Sequence, residues 1–146
     1  MNIRRATREE LGEVTGLLEV NGLPPLPTGI SLSNVLVALE QGSVIGVIAL
    51  EVVARRGLTL WAAVSAEHRA KGLSTSLGRS LIARAQELGL REIYAVPRDA
   101  SNFFAGLGFS PVFRSAVPNE VRFMPAFPDQ SNDSMEIMRL GLETRI

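Results

Sequence analysis

The sequence predicts a mixed α/β (α+β) domain, built as a mostly antiparallel sheet of six to seven strands with helices on both faces. Strand-like apolar runs and helix-patterned segments alternate along the chain, as in layered α/β architectures. Tight Gly-containing turns join the middle strands, and such turns connect antiparallel neighbours. With 146 residues the chain has the size of one ordinary domain, so residues 1–146 are expected to form a single domain.

The first thirty residues predict a strand, a capped helix and a stiff loop. Ile3 to Ala6 reads as a short strand. Thr7 and Glu10 have the spacing of a capping box, which marks the start of a helix. The apolar positions of that helix fall on one face, namely Leu11, Val14, Leu17 and Leu18. Asn21-Gly22 ends the helix, and a proline-rich loop follows as far as Gly29.

Residues 34–65 predict three strands joined by turns. The apolar runs Asn34 to Leu39 and Val44 to Val53 flank a Gly-containing turn and therefore predict an antiparallel hairpin. A second turn at Arg55 to Gly57 leads into the apolar run Leu58 to Ser65, which is expected to be one strand.

The second half predicts two helices and three strands. Apolar residues at helical spacing indicate a long amphipathic helix from Leu73 to Leu88, which Gly89 ends. A shorter helix from Ala100 to Leu107 ends at Gly108. The remaining strands are expected at Ile93 to Val96, Phe109 to Ser115 and Met135 to Leu142, with a proline-interrupted segment between the last two.

Composition excludes several classes of function. Fifteen basic residues balance fifteen acidic ones, so a broad basic surface for nucleic acid is not expected. The absence of net charge also limits electrostatic repulsion between copies, which leaves a homodimer open. The 46% of apolar residues and 21% of charged residues are typical of a folded globular protein.

The numbers of cysteines and histidines limit the possible metal sites and nucleophiles. The chain has no cysteine, which excludes disulfides, thiolate metal sites and a cysteine nucleophile, and is compatible with the cytoplasm. His68 is the single histidine and cannot form a metal site alone, so no metal is expected. The sequence shows neither a signal-peptide core nor a long apolar run, so no membrane association is expected.

The segment Arg69 to Ser74 predicts a phosphate site. It lies between the apolar run ending at Val64 and the long helix, so unpaired backbone N–H groups and the positive helix dipole meet there. Gly72 allows close approach of an anion to the backbone, and Ser74 adds one hydroxyl. Neither G-x-x-x-x-G-K-[ST] nor G-x-G-x-x-G is present. The alternative is an ordinary helix N-terminus without a ligand.

The same segment resembles a known cofactor loop. Arg69-x-x-Gly72-x-Ser74 is similar to the acetyl-CoA pyrophosphate loop of the GNAT N-acetyltransferase superfamily, Gln/Arg-x-x-Gly-x-Gly/Ala, with Ser74 as the departure. Val64 to Arg69 resembles the family's V-x-P-x-x-R strand-to-loop segment, with Ala66 in place of proline. Asn102 to Phe109 resembles its N-x-x-F/Y-Y-x-x-x-G-F segment. The resemblance implies the GNAT acyl-CoA N-acyltransferase fold and acetyl-CoA as the cofactor.

A narrower resemblance points to the arsenic-resistance N-acetyltransferase branch. It is carried by Asn21-Gly22-Leu23-Pro24, Gly46-x-x-Ala49-Leu50-Glu51 and Phe103 to Phe109, together with Arg114-x-Ala116-Val117-Pro118. Phe127, Ser134 and Met138 point the same way. That branch usually carries Glu-Phe and Cys-Pro in its tail, where this chain has Ala126-Phe127 and Ser131-Asn132. Because the tail lines the acceptor side in such folds, the departures concern the substrate rather than the fold.

The resemblance implies a set of cofactor-binding residues. The phosphate loop comprises Arg69, Ala70, Lys71, Gly72, Leu73, Ser74 and Thr75, with the backbone N–H groups from Ala70 to Thr75 on the pyrophosphate. The strand residues Ala62, Ala63 and Val64 would pair with the pantetheine amides, because a splayed parallel strand pair leaves edge amides free. Asn102 and Phe104 complete the set.

Acetyl transfer also needs a proton acceptor. Glu51 ends the third strand's apolar run and is the candidate general base, with a solvated strand-end residue as the alternative. Glu67 and His68 are expected to face solvent. Many GNAT enzymes place a tyrosine acid in the helix after the fifth strand, where this chain has Phe104. Tyr94 is expected to be a packing residue with its hydroxyl at the sheet edge.

Arginines are the candidate ligands for a carboxylate on the acceptor. Arg114 and Arg98 are favoured among five, the others being Arg55, Arg56 and Arg122, and solvated surface arginines are the alternative. With the family resemblance, the sequence therefore implies an acetyl-CoA-dependent N-acetyltransferase. Its expected acceptor is a small, amino-acid-like or toxin amine, which suggests a role in resistance. Two alternatives remain, a non-catalytic acyl-CoA-binding or regulatory module and an acetyltransferase of protein N-termini or lysines.

Overall fold

The computed structural model describes residues 2–60, 62–69, 71–98, 100–128 and 135–142. Its strands are β1 (Asn2–Arg5), β2 (Val35–Glu40), β3 (Ser43–Val53), β4 (Arg56–Thr59), β5 (Ala63–Val64), β6 (Glu92–Ala95), β7 (Ser110–Val112) and β8 (Ile137–Gly141). Its α-helices are α1 (Leu11–Val20), α2 (Leu73–Glu87), α3 (Ser101–Gly106) and α4 (Asn119–Arg122). None of these described helices combines the length and apolarity needed to cross a bilayer.

The strands form a mixed sheet of eight strands in the order β1-β2-β3-β4-β6-β8-β7, with β5 paired to β3. β4 and β6 are parallel. The β1–β2, β2–β3, β3–β5, β6–β8 and β7–β8 pairs are antiparallel. The predicted mixed, mostly antiparallel fold is therefore confirmed, with one strand more than the upper predicted number.

The chain divides into two compact units. The first unit comprises Met1–Leu50 with Trp61–Arg84, and the second comprises Glu51–Leu60 with Ala85–Ile146. Strand β3 contributes residues to both, because the boundary falls between Leu50 and Glu51. The assignment of residues 1–146 to one domain stays a prediction.

The run Leu58 to Ser65 is not one strand, and the prediction of a single strand there is wrong. Its first part belongs to β4, whose parallel pairing with β6 ends at Thr59 and Ala95. Its last part, β5, pairs antiparallel with β3 through Gly46 and Val47. Because both parts are buried and apolar, the hydrophobic pattern does not reveal that the chain changes its hydrogen-bonding partner.

In the first unit, the predicted capping box and hairpin turn are both present in the structure. A 3-10 turn at Arg8–Glu10 leads into α1, and the Thr7 N–H donates to Glu10 Oε1 at 2.9 Å, as the capping box predicts. Arg4 Nη2 lies 2.6 Å from Glu10 Oε2, and the hydrogen bond from Arg4 lowers the pKa of Glu10 to about 2. The hairpin turn holds Gln41 and Gly42 at φ 51° and 80°, the left-handed conformations of a two-residue type I′ turn.

Helix α2 packs directly on β3 at Gly46. A Cβ added to Gly46 would lie 3.0 Å from Leu77 Cδ1 and 3.2 Å from Leu73 Cδ2. Leu73 is the first residue of α2, so the absence of a side chain at Gly46 sets how closely the start of the helix approaches the sheet.

Substitution of Gly46 tests this close approach. Gly46→Ala is expected to lower the free energy of unfolding by about 1–3 kcal/mol, because the added methyl crowds Leu73 and Leu77, whose buried side chains cannot move aside into solvent. Gly16→Ala is the matched control, because Gly16 lies inside α1 with no atom within 4 Å of the added Cβ. That control should gain roughly 0.5–1 kcal/mol from helix propensity. Urea unfolding measures both, and equal stability of the two variants would contradict the packing argument.

In the second unit, a polar cluster joins β4, β6 and β8. Glu92 on β6 accepts from Arg139 Nη2 at 3.1 Å, from Arg56 Nε at 3.2 Å and from the Tyr94 hydroxyl. Arg56 Nη1 also contacts Glu120 Oε2 on α4 at 3.1 Å. Tyr94 is a packing residue, as predicted, but β6 is an interior strand, so its hydroxyl meets Glu92 rather than a sheet edge. Burial, followed by the Glu92 bond, raises the pKa of Tyr94 to about 12.

The proline-interrupted segment after β7 also contains regular structure. A 3-10 turn at Arg114–Ala116 precedes α4, and Pro118 stands at the N-cap of that helix. Val117, Val121, Met124 and Phe127 are buried, so this segment contributes to the core of the second unit. The sequence did not predict the helix because four residues are too few to show helical periodicity.

Candidate functional site

The segment between β5 and α2 has the predicted strand–loop–helix form. Gly72 has φ 77°, and α2 begins at Leu73, as predicted. The Ser76 N–H donates to the Gly72 carbonyl at 3.1 Å as the first bond of the helix. The N–H groups of Leu73, Ser74 and Thr75 are therefore those that an α-helix leaves without intrahelical acceptors. Ala70, which the sequence also assigned to this loop, lies outside the described residues.

Strand β5 presents one edge away from β3. The Ser65 N–H donates to the Ile45 carbonyl at 2.8 Å, so the backbone groups of Ser65 face β3. Because backbone groups alternate along a strand, the N–H and carbonyl of Val64 face the opposite edge. Ala63 is the other residue of β5, and Ala62 lies just before it. The predicted pairing of Ala62, Ala63 and Val64 with an extended cofactor stays a prediction.

Side chains fix the 3-10 turn Ala66–His68 that precedes the loop. The Ser65 hydroxyl lies 2.6 Å from His68 Nδ1, and His68 Nε2 lies 2.5 Å from Glu40 Oε2 at the end of β2. The His68 side chain is 18% exposed, so the expectation that it faces solvent is wrong, whereas Glu67 is exposed. Glu40 and His68 are 28 residues apart in the chain, and no local pattern announces their contact.

Arg69 contacts the first unit's own backbone and side chains. Its Nε donates to the Val64 carbonyl at 3.3 Å, and its Nη2 donates to Asn21 Oδ1 at 2.8 Å. Asn21 follows the last residue of α1, and its Nδ2 donates to the Leu17 carbonyl at 2.8 Å. The guanidinium therefore links β5 to the C-terminal end of α1.

Gly72 provides a direct test of the loop. Gly72→Ala is expected to weaken CoA binding about tenfold and to cost about 1 kcal/mol of stability, because alanine rarely adopts φ 77°. Gly42→Ala is the matched control, because Gly42 has φ 80° and, like Gly72, no atom within 4 Å of the added Cβ. The control should lose similar stability and bind CoA normally in calorimetric titration. Equal CoA affinity in the two variants would contradict a role for Gly72 in the loop.

In the second unit, Glu51 on β3 is half-buried and held by the chain that follows α4. Its Oε1 accepts a hydrogen bond from the Ala126 N–H at 3.2 Å. Burial raises the pKa of Glu51, and the Ala126 bond opposes that shift only in part. Glu51 is therefore not the freely solvated strand-end residue that was the sequence alternative, and a carboxylate with a raised pKa is suited to accept a proton.

The residues next to Ala126 hold Arg114. The Arg114 Cζ lies 5.4 Å from the centre of the Phe127 ring, within cation–π distance. Arg114 Nη2 also donates to the Pro128 carbonyl at 3.2 Å. The three consecutive residues Ala126, Phe127 and Pro128 thus contact a carboxylate and a guanidinium. We name this segment, 126–128, the tail contact.

The other predicted site residues of the second unit differ in their burial. Phe104 is buried, with ring centroids 5.1 Å from Phe103 and 5.2 Å from Phe109, both edge-to-face. Asn102 is exposed on α3. Arg98 is exposed, with φ 53° in the left-handed region. Their roles in binding stay predictions.

The other three candidate arginines, Arg55, Arg56 and Arg122, also belong to the second unit. Arg55 donates to the Gly89 carbonyl, which follows α2, and Arg56 pairs with Glu92 and Glu120. Arg122 is half-buried on α4. Asp99 and residues 129–134, which include Ser131, Asn132 and Ser134 of the narrower resemblance, lie outside the described residues.

The sequence model of the acetyltransferase (GNAT) domain matches residues 31–111, which is more than half of the chain. This chain belongs to the GNAT acetyltransferase family. The match covers β2 to α3 and includes both the loop and Glu51. No curated protein sequence matches the chain at a significant level.

Solved GNAT structures share the fold. N-acetylglutamate synthase from Neisseria gonorrhoeae, complexed with coenzyme A and N-acetyl-glutamate, matches 98% of this chain at 20% identity with a TM-score of 0.76. The chain spans only 35% of that synthase. Rv2747 from Mycobacterium tuberculosis, in complex with CoA and NLQ, is covered completely and matches 98% of this chain at 20% identity and a TM-score of 0.78. The ribosomal-protein-S18-alanine N-acetyltransferase from Escherichia coli matches 99% of the chain at 15% identity and a TM-score of 0.71, over 95% of its own length. At these identities the likeness establishes the GNAT fold.

Several contacts of these segments were not predicted. The Ala126 bond to Glu51 joins residues 75 positions apart, and a backbone donor leaves no trace in a sequence pattern. Asn21 did carry a signal, since it begins the Asn21-Gly22-Leu23-Pro24 motif, but its contact with Arg69 spans 48 positions. Phe127 was part of the narrower resemblance, although its contact with Arg114 was not foreseen.

Proposed function

We propose that this GNAT-family protein is an acetyl-CoA-dependent N-acetyltransferase whose acceptor is a small amine that carries a carboxylate or a similar anionic group. The observation that carries the proposal is the tail contact. It holds Glu51, with its raised pKa, and it also holds Arg114. A base and a guanidinium are what an amino-acid-like acceptor needs, the first for its amine and the second for its anionic group.

The first unit fits the cofactor. The open, positive-φ Gly72 and the first-turn N–H groups of Leu73 to Thr75 suit a pyrophosphate, and Lys71 adds a positive charge. The outward N–H of Val64 suits a carbonyl of pantetheine, whereas the Val64 carbonyl accepts from Arg69. Bound acetyl-CoA supplies the thioester from which the acetyl group is transferred. Because acetyl-CoA is used inside cells, we propose a cytoplasmic location.

The proposed role of Glu51 follows from its surroundings. A protonated acceptor amine is not nucleophilic, so Glu51 takes up the amine proton directly or through water. Its Oε2 is the atom assigned to this proton, because Oε1 accepts from the Ala126 N–H. Phe104 occupies the position of the usual acid and has no proton to donate, so the thiolate of CoA leaves without this residue's help.

Arg114 is the proposed ligand of the acceptor's anionic group, and Arg98 is a second candidate. Two structural neighbours were solved with CoA and N-acetyl-glutamate or NLQ, which supports an amino-acid-like acceptor. The resemblance to the arsenic-resistance branch favours toxic amino-acid analogues such as arsenical or phosphinate amines, in a resistance role.

A thiol-release assay tests the proposal. The amine panel contains free amino acids, phosphinate and arsenical amino acids, the matching amino-acid amides and a short peptide. We expect acetylation of at least one anionic amine and little turnover of its amide. Arg114→Ala should raise KM for that acceptor and leave KM for acetyl-CoA unchanged. Tight acetyl-CoA binding without turnover of any amine would favour the non-catalytic module, and preference for the peptide would favour a protein acetyltransferase.

A further inference from the structure

Arg69 is the first residue of the proposed phosphate loop, yet two of its donors bond to residues outside the loop. They go to the Val64 carbonyl and to Asn21 Oδ1 rather than towards Gly72 or the start of α2. Arginine has only donors, so Asn21 must offer its oxygen to Arg69 and its Nδ2 to Leu17, as observed. The amide is therefore oriented by two partners at once.

Asn21 belongs to a well-ordered helix end. Its N–H donates to the Leu17 and Leu18 carbonyls, and the Leu23 N–H also donates to Leu18 at 2.9 Å. The C-terminal end of a helix carries partial negative charge, which favours a guanidinium beside it. Helix α1 also contacts β5, so both partners of Arg69 belong to the packed frame of the first unit.

The turn before Arg69 is fixed independently. His68 is held by Ser65 and by Glu40, so the backbone reaches Arg69 from a defined direction. The loop therefore has one end anchored by Arg69 and the other by Leu73, which packs against Gly46. Anchoring both ends of a short loop reduces the conformational freedom that would otherwise be lost on ligand binding.

We propose that Arg69 and Asn21 form a positioning pair that fixes the pyrophosphate loop in place, so that Arg69 contributes to CoA binding through the backbone frame rather than as a phosphate ligand. This inference rests on the proposed function for the identity of the ligand, and on the contacts of the first unit for the pair itself. It also gives a role to Asn21, the first residue of the Asn21-Gly22-Leu23-Pro24 motif.

A double-mutant cycle on CoA binding tests the pair. Asn21→Ala and Arg69→Ala are each expected to raise the Kd for CoA about fivefold, since both lose the Arg69–Asn21 bond, and the double variant should match Arg69→Ala. Arg69→Lys should behave like Arg69→Ala, because an ammonium group keeps the charge but lacks the fork that reaches both acceptors. In kinetics, KM for acetyl-CoA rises while kcat and KM for the acceptor do not change.

The matched control is Asn34→Ala. Asn34 Oδ1 accepts from Arg84 Nε at 3.3 Å, so this variant removes another Asn–Arg bond of the same unit. It should bind CoA as the wild type does. If Asn21→Ala also binds normally while Arg69→Lys retains affinity and Arg69→Ala loses it, Arg69 is a direct phosphate ligand and the proposal is overturned.

Hydrogen exchange of the ligand-free protein gives a readout independent of CoA. We expect faster exchange of the Ser76 amide, whose N–H donates to the Gly72 carbonyl, in Asn21→Ala and Arg69→Ala, with no change in Asn34→Ala. Unchanged exchange in the first two variants would overturn the positioning pair. If the wild type bound no CoA, the proposed function would fail, while the exchange data would still decide whether the pair orders the loop.

Discussion

Replacing Glu51 by Gln is expected to lower kcat by about 100-fold while leaving the protein folded, because general-base catalysis contributes 10²–10⁴-fold in other enzymes. Gln keeps an oxygen that accepts from the Ala126 N–H, so the hydrogen bond to the tail contact is retained. Only the capacity to take up a proton is lost. Steady-state kinetics with the best acceptor of the amine panel measures the effect.

The pH dependence of kcat/KM tests whether Glu51 is the general base. Burial raises the pKa of Glu51, and the base is active only when deprotonated, so kcat/KM of the wild type should rise with pH through that elevated pKa. Glu51→Gln should lose this limb of the profile. Glu120→Gln is the matched control, because Glu120 is a carboxylate of the same unit that pairs with Arg56. A wild-type rate for Glu51→Gln would remove Glu51 as the base.

In Glu51→Gln the free energy of unfolding at neutral pH should not fall, although kcat does. A carboxyl group whose folded pKa lies above its unfolded value of 4.5 binds its proton more tightly in the folded state. The folded state is therefore stabilised relative to the unfolded state at low pH, and this contribution is lost as pH rises through the raised pKa. At neutral pH, Glu51→Gln avoids the cost of burying the charge. Urea unfolding at pH 7 should give a free energy of unfolding equal to or above that of the wild type.

Replacing Glu92 by Ala is expected to cause the largest loss of stability, about 2–3 kcal/mol. The Glu92 side chain is only 12% exposed and serves Arg56, Arg139 and Tyr94 together. Its removal leaves two guanidinium groups and a buried hydroxyl without their common acceptor. Denaturant unfolding of the wild type and the variant measures the difference.

Glu120→Ala is the matched control for Glu92. It removes the other carboxylate of Arg56, but the Glu120 side chain is 44% exposed, and exposed pairs contribute about 0–1 kcal/mol. Tyr94→Phe should cost about 1 kcal/mol, the value of one hydrogen bond. Equal losses for Glu92→Ala and Glu120→Ala would contradict the central role of Glu92 in the cluster.

Acid should weaken the Glu92 cluster. Burial acts to raise the pKa of Glu92, but the hydrogen bonds from Tyr94, Arg139 and Arg56 together outweigh it, so the pKa lies below its ordinary value of 4.5. The stabilising contribution is therefore complete above pH 4.5 and is lost as pH falls through the lowered pKa. Glu92→Ala should show a smaller loss of stability over that acid range than the wild type.

Local patterns predicted most elements because each carries its own periodicity or turn chemistry. The Thr7–Glu10 capping box, the Gln41-Gly42 turn and the start of α2 after Gly72 all depend on residues within a few positions of each other. The prediction of one strand at Leu58 to Ser65 was wrong because strand pairing is not a local property. The burial of this run was correctly indicated, but whether a buried strand pairs with β3 or β6 depends on residues distant in the chain.

In the candidate site, too, locally encoded features were predicted and long-range contacts were not. The loop from Arg69 to Thr75 and the position of Glu51 were indicated by the sequence, because a strand–glycine–helix passage and a charged residue in an apolar strand are visible locally. The environment of each was not. Neither the Ala126 bond that holds Glu51 nor the Asn21 bond that holds Arg69 follows from any spacing.

The sequence alone was thus enough to predict the family, most of the strands and helices, and the loop proposed for CoA, since these depend on short-range stereochemistry and hydrophobic periodicity. Only the tertiary structure decided that Glu51 is half-buried with a raised pKa, that His68 is bound to Glu40, and that Arg69 faces Asn21. The physical reason is that burial, pKa and hydrogen-bond partners depend on which distant segments come into contact, and that choice is made by the packing of the whole chain.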